Sequence, residues 1–419
     1  MTISLPDVPK GRELEDYVAA ALQASGAYVE KNIEAPDVLE LDIVASRYPE
    51  GKPDVILYEV KSGDWGFRDV FKLLGQKTYL EIPKAVFIGP PGGHDADFYN
   101  ARCGSHGLTV HVLGDLSKPH TPEGHKVDPQ LHELWRFSYW AERLLVDRLR
   151  ALAKGCKETG PKAALEYHRL INNETFLAPS TMAGVARLYN FYHQHGGGLT
   201  LEVACEIGGA VPYDPLRFDA GRPVVGDAAL RGKHLVLQAC MYLEHRARLA
   251  ILKGAVDQIC REGGPSAAAT ALWEGLPESF IEALKRLAGM PYFWLYPSLW
   301  QVFLFGWGGF LLTDRLDAEM SALATEVGMP PEYAAIALRA FDLLFPLPSG
   351  SWIAEVSTAS YHVVKLTPWP FMGLGAFRRR LMYGLKSYAE LGGKSYTASD
   401  LSKRHNYTYT FLGGSDKAT

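Results

Sequence analysis

Glu59 and Lys61 stand two residues apart in the stretch LYEVKSG (57–63), which otherwise reads as the end of a short apolar strand. Side chains alternate across a strand, so the carboxylate and the ammonium point to one face, roughly 6–7 Å apart. That spacing can flank a phosphate and a divalent cation, or it can be an exposed ion pair worth under about 1 kcal/mol. Two more carboxylates fall where a site would use them. Asp42 lies in LELDIVA (39–45), where alternation puts Leu39, Leu41 and Ile43 on one face and Glu40, Asp42 and Val44 on the other. Glu40 shares that outer face, and Asp42 is preferred over it. Glu15 lies in ELED (13–16), near the start of an amphipathic helix, where an acidic side chain is also simply favourable to the helix dipole. Carboxylates gathered beside a lysine suit phosphodiester hydrolysis, which needs charge on the phosphate neutralised and a water turned into hydroxide. A lysine in such a place orients or helps deprotonate the nucleophile, or steadies the developing charge.

The elements that must position these residues are legible from periodicity. Leu14, Val18, Ala21 and Leu22 recur at helical spacing across 11–25, and Gly26 supplies a stop. AYVEKNI (27–33) reads as a strand. VLELDIVAS (38–46) and DVILYEVKSG (54–63), joined by the GKP turn, read as an antiparallel hairpin. A second amphipathic helix is expected over 67–81, then strands over 84–90 and 108–116 with a helix over 95–105 between them. The order α-β-β-β-α-β-α-β describes one α/β domain of about 115 residues.

In that order, KGRELEDYV (10–18), LELDIVA (39–45), YEVKSG (58–63) and GQKTYL (75–80) resemble the restriction-endonuclease-like PD-(D/E)xK nuclease superfamily, closest to its archaeal Holliday-junction-resolvase-like and Mrr-like branch. The likeness covers residues 1–115 and none of the remainder. The proline that names the motif is missing, since Leu41 precedes Asp42. The resemblance implies a mixed sheet flanked by helices. It implies Mg²⁺, with Mn²⁺ as substitute, held by Asp42, Glu59 and the Val60 carbonyl, with Glu15 binding a second ion or a metal-bound water. Lys61 is the implied catalytic lysine, and Gln76 matches a position that supports lysine and phosphate. DNA is implied over RNA, and a homodimer is expected because the superfamily often cuts two strands as a pair.

The 419 residues exceed what one compact core holds, so more than one domain is expected. The expected division is 1–118, a Pro-, His- and Gly-rich linker 119–129, a helical domain 130–364 and a basic, aromatic-rich segment 365–419. Residues 1–118 carry 12 Lys and Arg against 18 Asp and Glu, whereas 365–419 carry 9 against 3. An acidic first domain and a basic end fit metal carboxylates in one place and a phosphate-binding surface in another. Arg378, Arg379, Arg380, Lys386, Lys394, Lys403 and Arg404, set among tyrosines, are the candidate nucleic-acid contacts; the alternative is a solvated helix face with tyrosines packed inward. Residues 130–419 are read as all-α, with long runs at 130–154, 228–262, 277–288, 314–326, 331–345 and 372–391. The stretches 139–165 and 242–269 echo one another as a long helix, a Gly-Pro break and an Ala-rich helix. The uncharged stretch 290–312 approaches a bilayer span in length, but Pro291 and Pro297 interrupt it, and a buried helix or partner-binding face is preferred to a membrane span.

Other motifs point elsewhere more weakly. GPPGGHDADF (89–98) is glycine-rich but lacks the Gly-Lys-Ser/Thr of a P-loop, and its aspartates suit a helix cap better than a metal. His193 and His195 are a stray pair. Five scattered cysteines without a CxxC argue against zinc knuckles and disulfides and for reduced thiols in a cytoplasm. The first 16 residues contain no apolar core, so no secretory signal is expected. The function expected is a metal-dependent nuclease whose helical part selects substrate, partner or moment of activation, by analogy in defence or repair. The alternatives are a nuclease-fold module that binds DNA or protein with little cleavage, and a helical interaction or membrane-associated scaffold.

Overall fold

A computed structural model describes residues 8–35, 39–91, 95–155, 159–172, 182–195, 228–263, 275–312, 315–345, 353–355, 361–364 and 369–383. The chain divides into two compact units. The first comprises Met1–Trp140 with Asn172–Leu177, and the second Ala141–Ile171 with Ala178–Thr419.

The first unit runs α1 (Arg12–Ala24), β1 (Tyr28–Ala35), β2 (Leu39–Arg47), β3 (Asp54–Val60), α2 (Phe67–Tyr79), β4 (Lys84–Gly89), α3 (Ala96–Cys103) and β5 (Leu108–Val112), in the order expected from periodicity. Its sheet is ordered β1-β2-β3-β4-β5. The first three strands pair antiparallel and β3-β4-β5 pair parallel, so the sheet is mixed. The sequence explains the split. A short turn can only return a strand antiparallel, whereas α2 and α3 serve as the long crossovers that parallel strands require. The run KAVFIG, buried from its second residue on, is what a parallel strand covered on both faces looks like. In α1 the residues read at helical spacing, Leu14, Val18, Ala21 and Leu22, are all buried, and Gly26 takes the left-handed conformation at φ 88° just past the helix end. On the other side of the sheet, Trp65 lies against Phe87 and Tyr99, with ring centroids 5.1 and 5.7 Å away.

The segment 119–129, expected as a linker, belongs to the first unit. His120 bridges to Lys126, the Tyr58 hydroxyl donates to Glu123 at 2.6 Å, and Thr121 and Val127 are buried. Thr121 and Val127, six positions apart among its prolines and glycines, are the side chains it buries.

The second unit is largely helical. It takes most of α4 (Pro129–Gly155), then α5 (Thr159–Ile171), α6 (Met182–His195), α7 (Ala228–Arg261), α8 (Glu278–Ala288), α9 (Tyr296–Gln301), α10 (Leu316–Val327), α11 (Pro331–Leu344) and α12 (Trp369–Met382). It is not all-α as expected: β6 (Phe310–Leu312), β7 (Ile353–Glu355) and β8 (Tyr361–Val364) form a small antiparallel sheet ordered β6-β8-β7. Strands of three or four residues are too short to show a period, and β6 meets β8 only across some fifty positions. The uncharged stretch 290–312 packs into this core. Tyr296, Leu299, Trp300, Phe303, Leu304 and Trp307 are almost wholly buried, and a π-turn over Val302–Gly306 breaks the helix before β6. Among the described residues no helix is long and apolar enough to cross a membrane. In the second stretch of the internal echo, 242–261 lie in α7, while the Gly-Pro break and the Ala-rich part from 264 to 269 fall outside the described residues.

Candidate active site

The register of the β2–β3 hairpin brings the acidic residues together. Ile43 pairs with Tyr58, so the next step places Asp42 beside Glu59 on the opposite face of the sheet. Glu59 in turn pairs with Phe87, which fixes this face as the one that Trp65 covers. Asp42 is the half-buried member of its strand face near the hairpin end, whereas Glu40 is exposed, and this separates the two candidates that alternation left side by side.

The Val60 backbone N–H donates to Asp42 Oδ2 at 2.7 Å, so the carboxylate takes over where the β2–β3 ladder ends. Glu59 is 1 % exposed, and its Oε1 receives both Lys61 Nζ at 2.8 Å and Lys72 Nζ at 3.2 Å. The lysines themselves keep 34 % and 44 % of their side-chain surface in solvent, so the cluster is sealed behind Glu59 and open in front. The Lys61 backbone N–H bonds to the Ile88 carbonyl at 2.8 Å, which anchors the lysine to β4. One residue on, the Ser62 hydroxyl accepts the Gly11 N–H at 3.0 Å and ties the start of α1 to the end of β3. Glu15, one turn into α1, arrives at the same end of the sheet by that tie.

The charges of Glu59, Glu15 and Lys61 all act on Asp42. Burial and then the Glu59 charge push the Asp42 carboxyl up to about 7; Glu15 adds to the rise, while the Val60 N–H and Lys61 oppose it. Burial likewise raises Glu15, against the pull of Lys31. Burial draws the Lys61 ammonium down, but its hydrogen bond to Glu59 and the charges of Glu59, Asp42 and Asp69 outweigh this and leave it raised. A carboxyl that ionises only near neutrality, held among other carboxylates, is a site short of positive charge.

Gln76 reaches this region from α2. Its Nε2 donates to the Glu40 carbonyl at 2.9 Å, and its buried Oε1 has no hydrogen-bond partner among the described residues. It thus braces the backbone two residues before Asp42. Lys72 is the member that sequence reasoning missed. It stands thirteen positions after Glu59 on another element, and only its place in the amphipathic pattern of α2, on the exposed side, could have drawn notice. Neighbouring Asp69 is occupied as a cap, accepting the Gly66 N–H at 3.0 Å.

Two of the candidate phosphate contacts near the end of the chain, Arg378 and Arg379, are spent inside a core. Arg378 and Arg379 are 2 % and 0 % exposed. Arg378 pairs with Glu326 and donates through Nε to the Gly306 carbonyl at 2.9 Å. Arg379 pairs with Glu319 at 2.7 Å and donates to the carbonyls of Trp307, Phe310 and Gly375. Guanidinium groups with their donors already spent inside a core cannot meet a phosphate backbone. The Arg380 side chain, Lys386, Lys394, Lys403 and Arg404 lie outside the described residues. Asp95 caps α3, accepting the Asp97 N–H at 2.9 Å, as its sequence context suggested.

Among the described residues no group of three or more His, Cys, Asp or Glu side chains is drawn together tightly enough to hold a metal ion. A cation at Asp42 and Glu59 would therefore rest on two carboxylates, with backbone oxygen and water completing its shell, which is the ligand pattern of Mg²⁺. No family model matches the chain, and no curated protein or solved structure matches it either.

Proposed function

We propose that the first unit is a metal-dependent nuclease of the restriction-endonuclease-like kind, hydrolysing phosphodiester bonds of DNA. The observation that carries this reading is the meeting of Asp42, Glu59 and Lys61 at the open end of the β2–β3 hairpin, with the Asp42 carboxyl pushed up to about 7. A divalent cation fits the donor set, because oxygen donors crowded enough to resist ionisation are relieved by a positive ion. When bound, such an ion would polarise the phosphate and lower the pKa of a water. Asp42 and Glu59, with the Val60 carbonyl by resemblance, would hold it. Lys61, anchored by its backbone to β4 and only part-buried, is placed to meet a phosphate oxygen or the attacking water from solvent. Glu15 orders water at the edge of the same cluster, and Gln76 keeps β2 in place beneath it. The helical unit selects substrate or partner.

A second reading, a nuclease-fold module that binds DNA or protein with little cleavage, draws on one observation. Lys61 and Lys72 both occupy Oε1 of Glu59, where they compete with a cation. The test is incubation of the purified full chain with supercoiled, linear and branched DNA in Mg²⁺, Mn²⁺ or EDTA. The nuclease reading expects cutting that EDTA abolishes and that Asp42→Ala and Lys61→Ala reduce by about 10²–10⁴-fold or more while DNA binding persists. Binding with no cutting under any condition would leave the second reading in its place.

A further inference from the structure

The exposed side of α2 carries a feature that the hydrolytic cluster does not use. Phe67 and Phe71 are 61 % and 51 % exposed, and their rings pack on one another with centroids 4.3 Å apart and planes at 33°. Positions i and i+4 of a helix meet, so the two rings form one continuous aromatic surface. Arg68 and Lys72, also exposed and also four apart, run alongside it, and Lys72 ends on Glu59 Oε1. The aromatic surface therefore lies within one helical turn of the carboxylate cluster. Farther along the same helix, Tyr79 is 59 % exposed. Between them sits Gly75, where an added Cβ would meet nothing within 4 Å. A glycine inside an exposed helix costs about 1 kcal/mol relative to alanine, and no neighbour of Gly75 needs the space. Phe98 on α3 makes a contrast: it too is exposed, but the Arg102 guanidinium covers its ring at 4.1 Å.

Aromatic faces left open to water, flanked by cations and bordered by bare backbone, match a polymer that offers flat π-faces and negative charge together. Duplex DNA hides its base faces in the stack; a single strand exposes them. We infer that Phe67 and Phe71 form a stacking platform for unpaired bases, with Arg68 and Lys72 on the adjoining phosphates, so that the strand enters the Asp42–Glu59–Lys61 cluster single-stranded. This rests on the nuclease reading for what happens next, but the binding step stands by itself.

The platform is tested by binding of a fluorescent single-stranded oligonucleotide and of a blunt duplex of the same sequence to the full chain in EDTA, where no cutting intervenes. The wild type is expected to prefer the single strand. The double variant Phe67→Ala, Phe71→Ala should lose about tenfold or more of the single-strand affinity and little of the duplex affinity. The pair Phe67→Leu, Phe71→Leu keeps the apolar surface without the π-faces and should lose nearly as much; Phe67→Trp, Phe71→Trp should keep it. Full binding by the leucine pair would show that the π-faces do not hold the strand and overturn the inference, as would equal loss for both nucleic acids or no loss at all. The two proposals fail separately. Single-strand preference without cutting in Mg²⁺ sinks the nuclease reading alone, and cutting that ignores the phenylalanines sinks the platform alone.

Discussion

Glu319 in the second unit and Glu59 in the first are both buried carboxylates, 0 % and 1 % exposed, and they are treated in opposite ways. Around Glu319 every donor is spoken for. Arg379 bonds both oxygens at 2.8 and 2.7 Å, the Leu312 N–H adds a bond at 2.8 Å, and the Tyr383 hydroxyl one at 3.0 Å. The same unit buries Arg248 with Glu244 and Lys253 with Asp257. Around Glu59 the balance is lopsided. Glu59 and Asp42 crowd one another enough to push the Asp42 carboxyl up to about 7, and the cluster faces solvent on the side where Lys61 and Lys72 share one oxygen of Glu59. Matched and enclosed charges fasten a core, whereas crowded carboxylates with an open side are what the proposed cation would relieve.

That contrast can be broken or sharpened. The largest effect expected is on the hydrolytic side: Asp42→Ala and Lys61→Ala should abolish most cutting while the chain stays folded, as measured by nicking of supercoiled DNA beside a thermal melt that still shows a cooperative transition. On the fastening side, Glu319→Ala leaves Arg379 buried without its anion and should cost about 3–5 kcal/mol of stability, read from urea unfolding of the full chain. A loss below about 1 kcal/mol would show that the pairing in the second unit is no tighter than a surface bridge. A smaller effect separates the two regions by pH. The Asp42 carboxyl ionises in the folded protein near 7, well above its ordinary range, so the fold binds a proton that the unfolded chain has already lost. In EDTA its penalty should grow as pH rises from about 4 to 7 and then level off. Asp42→Asn keeps an oxygen for the Val60 N–H and should therefore stabilise the metal-free protein by about 1–3 kcal/mol at pH 8 and by almost nothing at pH 4. Equal stability of the two proteins at both pH values would mean that Asp42 is not crowded at all.

Much of the first unit could be read before any coordinates, because its signals are local. Alternation in 38–46 and 54–60 gave the hairpin, and a two-residue period put Glu59 and Lys61 on one face. What alternation left undecided, Glu40 against Asp42, needed the pairing of Ile43 with Tyr58 and the burial that follows. Lys72 was invisible for the same reason that Arg378 and Arg379 were misread. A lysine bound for a carboxylate on another element, or an arginine whose partner lies 60 positions away, has the same neighbours in sequence as one left in water. Basic residues among aromatics describe a phosphate surface and a cation-π core equally well. Arg379 lies 3.9 Å from the Phe310 ring centroid and 5.3 Å from that of Trp307.

Six residues, 61–66, connect β3 to α2, and Trp65 pins them: its indole N–H donates to the Pro90 carbonyl at 3.0 Å. The slot for that indole exists because position 89 is a glycine; a Cβ there would stand 2.6 Å from Nε1 and 2.7 Å from Cδ1 of Trp65. Gly89 thus shapes the 61–66 connection without any functional group of its own. Gly89→Ala would pry the ring out and loosen the 61–66 connection, so on the nuclease reading a screen for dead variants would return it among the charged residues. Such a mutant would be cured by trimming the indole, as in Trp65→Leu, and by no restoration of charge.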